Sequence, residues 1–335
     1  MKLRLNTILA ASAVVFGLFA GASASSAETW RLSSMMPETS FEGQAFTRFA
    51  QLAEEYTEGR VKVRVYPNEQ LGKIDVVMDQ LRDGTIHLAP TQISYLNQWE
   101  PAFAYSSAPF LFSDYEQWSR FMASDMVKGW LANVEEKAGI TVLGDLAALR
   151  RGSFRVIVSK NPIASWDDLK GLKMRQYQDD LVVSTWSHLG TEPRVIPWTD
   201  IYDAFSRGIV EAATSPAELV EPNRFYEVAP HITRTDEFPQ SVSFMMNKRA
   251  FDALSPADQE ALARAQLDAA AYGVELLNEQ ARKWEARMAE LNVKLNLTMD
   301  IDDIVARVRP FYEERAKAGK LPEGFLDAVE AAKAN

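Results

Sequence analysis

Two arginines stand where a charge is costly. Arg155 interrupts the apolar run Phe154-Arg155-Val156-Ile157-Val158, and Arg175 closes the short segment Lys173-Met174-Arg175. A guanidinium is a planar fork of donors that fits a carboxylate bidentately, so arginines in segments bound for the interior need anionic partners. Those partners are either an organic acid in a desolvated cleft or an Asp or Glu of the same chain, and the residues alone leave the two even. Trp99 and Trp198 leave a similar choice between core and binding wall. The pairs Asp167-Asp168, Asp179-Asp180 and Asp302-Asp303 could do general acid-base work, but they stand near expected helix starts, where carboxylates cap and complement the dipole.

Other chemistry loses its usual signatures. The chain has 0 cysteines, which removes thiol nucleophiles, thiolate metal sites and disulfides. His87, His188 and His231 lack the i, i+4 spacing of a zinc helix. Asp300-x-Asp302-Asp303 lacks the glycine and distal glutamate of a calcium loop. After the first 27 residues no phosphate loop, dinucleotide-binding glycine fingerprint or G-x-S-x-G elbow occurs. The expectation is a protein with no catalytic residues, no cofactor and no metal site.

The elements that must position the arginines alternate in type. Trp30 to Ser33 reads as a strand, and Thr39 or Ser40 can cap a helix with Phe41, Ala45, Phe49 and Leu52 on one face. Val61, Val63 and Val65 alternate with Lys62 and Arg64, which is the period of a strand. A helix through Val76, Val77 and Leu81 and a strand at Ile86 to Ala89 follow, and this β-α-β-α-β order predicts a mostly parallel sheet covered by helices. A second unit holds strands at Phe154 to Ser159, Lys173 to Arg175 and Arg194 to Ile196, with helices near Leu181 to Leu189 and Asp200 to Gly208. From Pro256 to about Val293 the pattern predicts one long helix, enough to lie across two lobes at ~1.5 Å per residue.

Composition bounds the class. With 335 residues, 47% of them hydrophobic and 24% charged, the chain is globular and about twice a typical domain. A formal charge of -10 with no basic run makes nucleic acid and anionic membrane surfaces poor partners. Lys2 and Arg4, the apolar run Thr7 to Ala20 and the small residues Gly21 to Ala27 form the three parts of a secretory signal peptide, with cleavage expected after Ala27. No later stretch reaches the ~20 apolar residues of a membrane helix, so the expected product is an exported, periplasmic, soluble protein without stable membrane insertion, monomeric by default.

The order of motifs resembles the periplasmic solute-binding proteins of tripartite ATP-independent periplasmic (TRAP) transporters, of the dicarboxylate-binding-protein type. The resemblance runs through Val61 to Pro67 with Gln70-Leu71-Gly72, Leu81-Arg82-Asp83-Gly84-Thr85 and Ala108-Pro109-Phe110-Leu111-Phe112. It continues through Asp167 to Arg175, Gly190 to Phe205 and Gly208-Ile209-Val210-Glu211. It implies an α/β two-lobe clamp, each lobe a mostly parallel sheet flanked by helices, with a long helix spanning both. The expected division is 28–152 plus about 240–275 for lobe 1, and 153–239 plus about 276–335 for lobe 2. It further implies that Arg175 grips a ligand carboxylate, that Arg155 is the second basic position, that Trp198 is the aromatic wall and that Gln178 is a polar contact. Ser215 in Thr214-Ser215-Pro216 stands where the family often has asparagine, and Gln92 and Tyr95 are expected first-lobe contacts. The implied partners are a small organic acid anion and a membrane permease. A sensor, another importer's binding protein or an enzyme acting on an organic acid are the rival readings. C4-dicarboxylates, hydroxy or keto acids, aromatic acids, sugar acids and sulfonates all offer a suitable anion.

Overall fold

The alternation in Val61 to Val65 is realised as a strand beside the first one. In the structure, a computed structural model describing residues 28–334, β1 (Glu28–Ser33) pairs in parallel with β2 (Val61–Tyr66), Trp30 opposite Val63. The expected signal peptide, residues 1–27, lies outside the described residues. Between the strands runs α1 (Phe41–Tyr56), started by the Ser40 hydroxyl, which accepts from the Gly43 amide at 3.0 Å. Next come α2 (Ile74–Asp83), stopped by Gly84 at φ 80°, and β3 (Leu88–Thr91). Two 3-10 turns, Ile93–Gln98 and Pro101–Ser107, lead to α3 (Tyr115–Met122), α4 (Asp125–Ala138), β4 (Ile140–Leu143) and β5 (Leu149–Arg150).

The chain then crosses to a second sheet. This half holds β6 (Arg155–Ser159), β7 (Lys173–Gln176), α5 (Asp180–His188), β8 (Glu192–Val195), α6 (Ile201–Ser206), β9 (Ala212–Pro216) and β10 (His231–Arg234). A return crossing gives β11 (Ser241–Asn247), followed by α7 (Lys248–Asp252) and the long α8 (Pro256–Glu290). The described chain finishes with β12 (Lys294–Asn296), α9 (Ile301–Lys317) and α10 (Phe325–Ala334).

The first sheet has the order β2-β1-β3-β11-β4 with β5 on β11, and the second β12-β10-β6-β9-β7-β8. Both are mixed: antiparallel pairings are the majority in the first, which corrects the expectation of a mostly parallel sheet there, while parallel pairings are the majority in the second. The β-α-β pattern does set β2, β1 and β3 parallel, but β11 enters antiparallel to β3, β4 and β5. In the second sheet β6 lies antiparallel to both β9 and β10, while β7 is parallel to β8 and β9. Parallel neighbours need a crossover unit, whereas a strand arriving from the other lobe is free of that constraint.

α8 is 35 residues long and closes both halves. Its Leu262, Ala265, Ala269 and Leu277 pack with α1 and the first sheet, and its Trp284 and Met288 pack with α6 and the second. Gly273 permits the approach to the first lobe: a Cβ there would stand 2.6 Å from Leu149 Cδ1 and 2.9 Å from Ala45 Cβ. A further cluster, with no residue of α8, runs from Phe103, Trp118 and Phe121 through Trp186 to Phe311 and Phe325, so the C-terminal helices also tie the lobes together.

Candidate functional site

Between the sheets lies a small cavity in which lobe 1 contributes Met35, Met36, Gln92 and Tyr95 and lobe 2 contributes Arg175, Tyr177, Trp198 and Leu219. Arg175 sits in β7, is 3% exposed, and donates from Nε to the Ile196 carbonyl at 2.7 Å. Among the described residues it has no ion pair. Burial pushes its guanidinium down to about 10, which still leaves it cationic at neutral pH.

The other arginines on the wall have partners. Arg155, 6% exposed, donates from Nε to Glu237 Oε2, from Nη1 to Gln240 Oε1 and from Nη2 to Thr214 Oγ1, each at 3.1 Å. It also lies over the Phe238 ring at 4.5 Å. Glu237 receives the Trp186 indole N–H as well, and burial pushes its carboxyl upward against the pull of Arg155. Arg151, at the crossing between lobes, holds Glu42 of α1 bidentately at 2.7 and 2.8 Å, both side chains buried. Of the two readings open for Arg155, the internal ion pair is therefore realised; Arg175 is the guanidinium left over.

The remaining walls are aromatic, apolar and amide. Tyr95 and Tyr177 meet edge to face at 6.1 Å, and burial raises both phenols. Trp198 donates from Nε1 to Asn223 Oδ1 at 3.1 Å and packs on Phe225, so its ring is fixed facing Arg175. Gln240, at the return crossing, donates to Gln92 Oε1, and Gln92 Nε2 is buried without a hydrogen-bond partner among the described residues. At the lip the lobes join again: Thr199 donates to Glu69 at 2.6 Å and Lys73 reaches Asp200 at 2.7 Å.

Five of the seven expected contacts thus line one cavity: Arg175, Arg155, Trp198, Gln92 and Tyr95. Ser215 and Gln178 do not. Ser215 is opposite Val156, on the face of β9 that packs into the second lobe's core, and its hydroxyl donates to the Pro216 carbonyl. Its neighbours Thr214 and Pro216 take the cavity side, because successive strand residues point to opposite faces. The same parity sends Tyr177, two residues after Arg175, into the cavity and leaves Gln178 exposed. Sequence reading missed Arg151, Tyr177, Thr214 and Gln240; the strand period counted from Arg175 carried the signal for Tyr177, but nothing local marked Gln240. The carboxylate pairs are largely structural: Asp179 Oδ1 accepts from the first amides of α5 at 3.0 and 3.1 Å, and Asp168 accepts from Ser165 N at 2.8 Å. Asp167 pairs with Arg307 at 2.8 Å.

Residues 32–318 match the family described as bacterial extracellular solute-binding protein, family 7. The chain is 28% identical over 274 residues to the C4-dicarboxylate-binding periplasmic protein DctP of Rhodobacter capsulatus, covering 81% of this chain and 79% of the relative. It is 27% identical over 301 residues to the 2,3-diketo-L-gulonate-binding periplasmic protein YiaO of Escherichia coli K12, covering 90% of each. In fold it is similar to the sugar acid binding protein DctPAm of Advenella mimigardefordensis in complex with galactonate, with TM-score 0.81, 24% identity and coverage of 91% of this chain and 98% of that one.

Proposed function

The chain belongs to bacterial extracellular solute-binding protein family 7, with its two-lobe α/β clamp, and we propose that it captures a small organic acid anion at Arg175 for a TRAP membrane permease. The observation that carries this reading is a buried guanidinium that has no ion-pair partner among the described residues. A buried charge is stable only when paired, and the pair is completed here from solution. Solute carboxylate enters an open cleft, meets the Arg175 fork, and is enclosed as Trp198 and Leu219 close on Met35, Met36 and Tyr95. Expulsion of water lowers the local dielectric and strengthens the charge-assisted bonds. Arg155 and Arg151 act beneath the site by holding the strands and the crossing in place.

Closure supplies no nucleophile and needs none, so the reading is binding and release without a covalent step. The leader-like first 27 residues favour delivery to the periplasm, and among the described residues no helix is long and apolar enough to cross a membrane. Release follows if the permease favours the open form. We take residues 28–152 with 240–275 as lobe 1 and 153–239 with 276–335 as lobe 2, α10 reaching back to α3.

The test is a thermal-shift screen of the secreted protein, stripped of bound solute, against organic acids and their neutral amides. An acid at 100 times its dissociation constant adds about 2.7 kcal/mol. Stabilisation by acids and not by amides is expected; stabilisation by neutral or cationic solutes alone would sink the proposal.

A further inference from the structure

Counting charge at the cavity narrows the ligand. Three arginines reach the wall, but Arg151 is paired with Glu42 and Arg155 with Glu237, so among the described residues Arg175 is the one of the three without an ion-pair partner. Gln240 is committed at both ends, donating to Gln92 and accepting from Arg155, and Thr214 Oγ1 accepts from Arg155 too. What remains open for a ligand is the Arg175 fork, the Gln92 Nε2 donor, the Thr214 O–H and the two phenols, set among Met35, Met36, Leu219 and the Trp198 ring. We infer that the cavity takes a monocarboxylate with an apolar or ring-bearing body and discriminates against dicarboxylates and polyhydroxylated acids. This rests on the organic-acid reading above and goes beyond it.

A second carboxylate would be buried against thioether and indole with no cation to meet it, because both other guanidiniums already hold carboxylates. A chain of hydroxyls would find few partners on this wall beyond the Tyr95 and Tyr177 phenols and the Thr214 hydroxyl, and each buried unpaired O–H weakens binding. An apolar body instead replaces water on a surface that makes few bonds to it. The inferred ligand differs from the dicarboxylate in the name of the Rhodobacter relative and from the galactonate of the Advenella complex.

The experiment is calorimetric titration of the solute-free protein with five probes: 4-methylpentanoate, phenylacetate, glutarate, xylonate and 4-methylpentanamide. The expected result is that 4-methylpentanoate or phenylacetate binds at least roughly 30-fold more tightly than glutarate and xylonate, with the amide silent. Glutarate or xylonate binding as tightly as the better apolar acid would overturn this inference and leave the organic-acid reading intact. No acid binding, or the amide matching its acid, would overturn both. A second arm uses Glu237→Gln and Glu42→Gln, each of which releases a guanidinium at the wall. In whichever variant folds, glutarate should gain about tenfold relative to 4-methylpentanoate; an unchanged ratio would refute the charge count.

Discussion

The Arg175 guanidinium stands 5.6 Å from the centroid of the Trp198 ring, although the two come from different elements of the second lobe. The indole face gives the cation partial compensation while leaving its Nη edge free, an arrangement worth about 2 kcal/mol when desolvated. Replacing Arg175 with Ala should weaken organic-acid binding by roughly 2–5 kcal/mol. Arg175→Lys should recover little, because an ammonium lacks the bidentate fork. Calorimetry on folded variants reads this directly, and retained affinity in Arg175→Ala would remove the residue from the site.

Without ligand, Arg175 is a burden on the fold. Arg175→Met should leave the ligand-free protein at least as stable as the wild type in urea, since it removes a buried charge that nothing in the described chain pairs. A loss above about 2 kcal/mol would mean that its bond to the Ile196 carbonyl matters more than the desolvation it suffers.

The pair Arg151 and Glu42 behaves differently. Both side chains are buried, so Glu42→Gln strands a cation at the crossing between lobes and should cost about 3–5 kcal/mol. The double replacement Arg151→Met with Glu42→Leu removes both charges and should be far milder than the single one, which chemical denaturation can show.

Lys73 and Asp200 close the lip at 2.7 Å but are 42% and 50% exposed, so the pair is worth only about 0.2–1 kcal/mol. Lys73→Ala should raise the ligand dissociation constant a few-fold, and the difference from wild type should shrink in high salt. An effect that is large or independent of salt would point to a packing role for the lysine stem.

Burial pushes the Asp179 carboxyl up to about 7, despite the two amides it caps. The native state therefore holds its proton to higher pH than the unfolded chain, which releases it near the ordinary value of 3.8. Between those values the native state binds more protons, so stability from this group falls as pH rises and the loss is complete above about 7. Asn can keep the cap without titrating. Asp179→Asn should match wild type near pH 4 and exceed it at pH 8 by a few kcal/mol in urea unfolding; equal stability at both would show the carboxyl to be well solvated.

How much was legible depended on whether the signal was local. The alternation of Val61, Val63 and Val65 and the uninterrupted pattern after Pro256 are properties of short windows, and both became the expected elements. Arg155 and Arg175 were conspicuous because a charge in an apolar strand is rare within its own neighbourhood. Whether each was free was not local: Glu237 lies 82 positions from Arg155, and only the return crossing brings them together. Ser215 illustrates a different limit. The segment was found, but the facing of its residues is a parity, and Thr214 rather than Ser215 points into the cavity. The antiparallel entry of β11 likewise depended on where the chain recrossed, which no window of the sequence contains.

The long α8 has a consequence for how the protein comes apart. Its first half completes the core under the first sheet and its second half the core under the other, so melting either end strips a neighbour of its cover. Even if the two lobes close around a ligand as the proposed function has it, they should lose structure as one thermodynamic unit, giving a single calorimetric transition whose van't Hoff and measured enthalpies agree. A break in the chain within 256–290 would leave neither fragment with a complete interior.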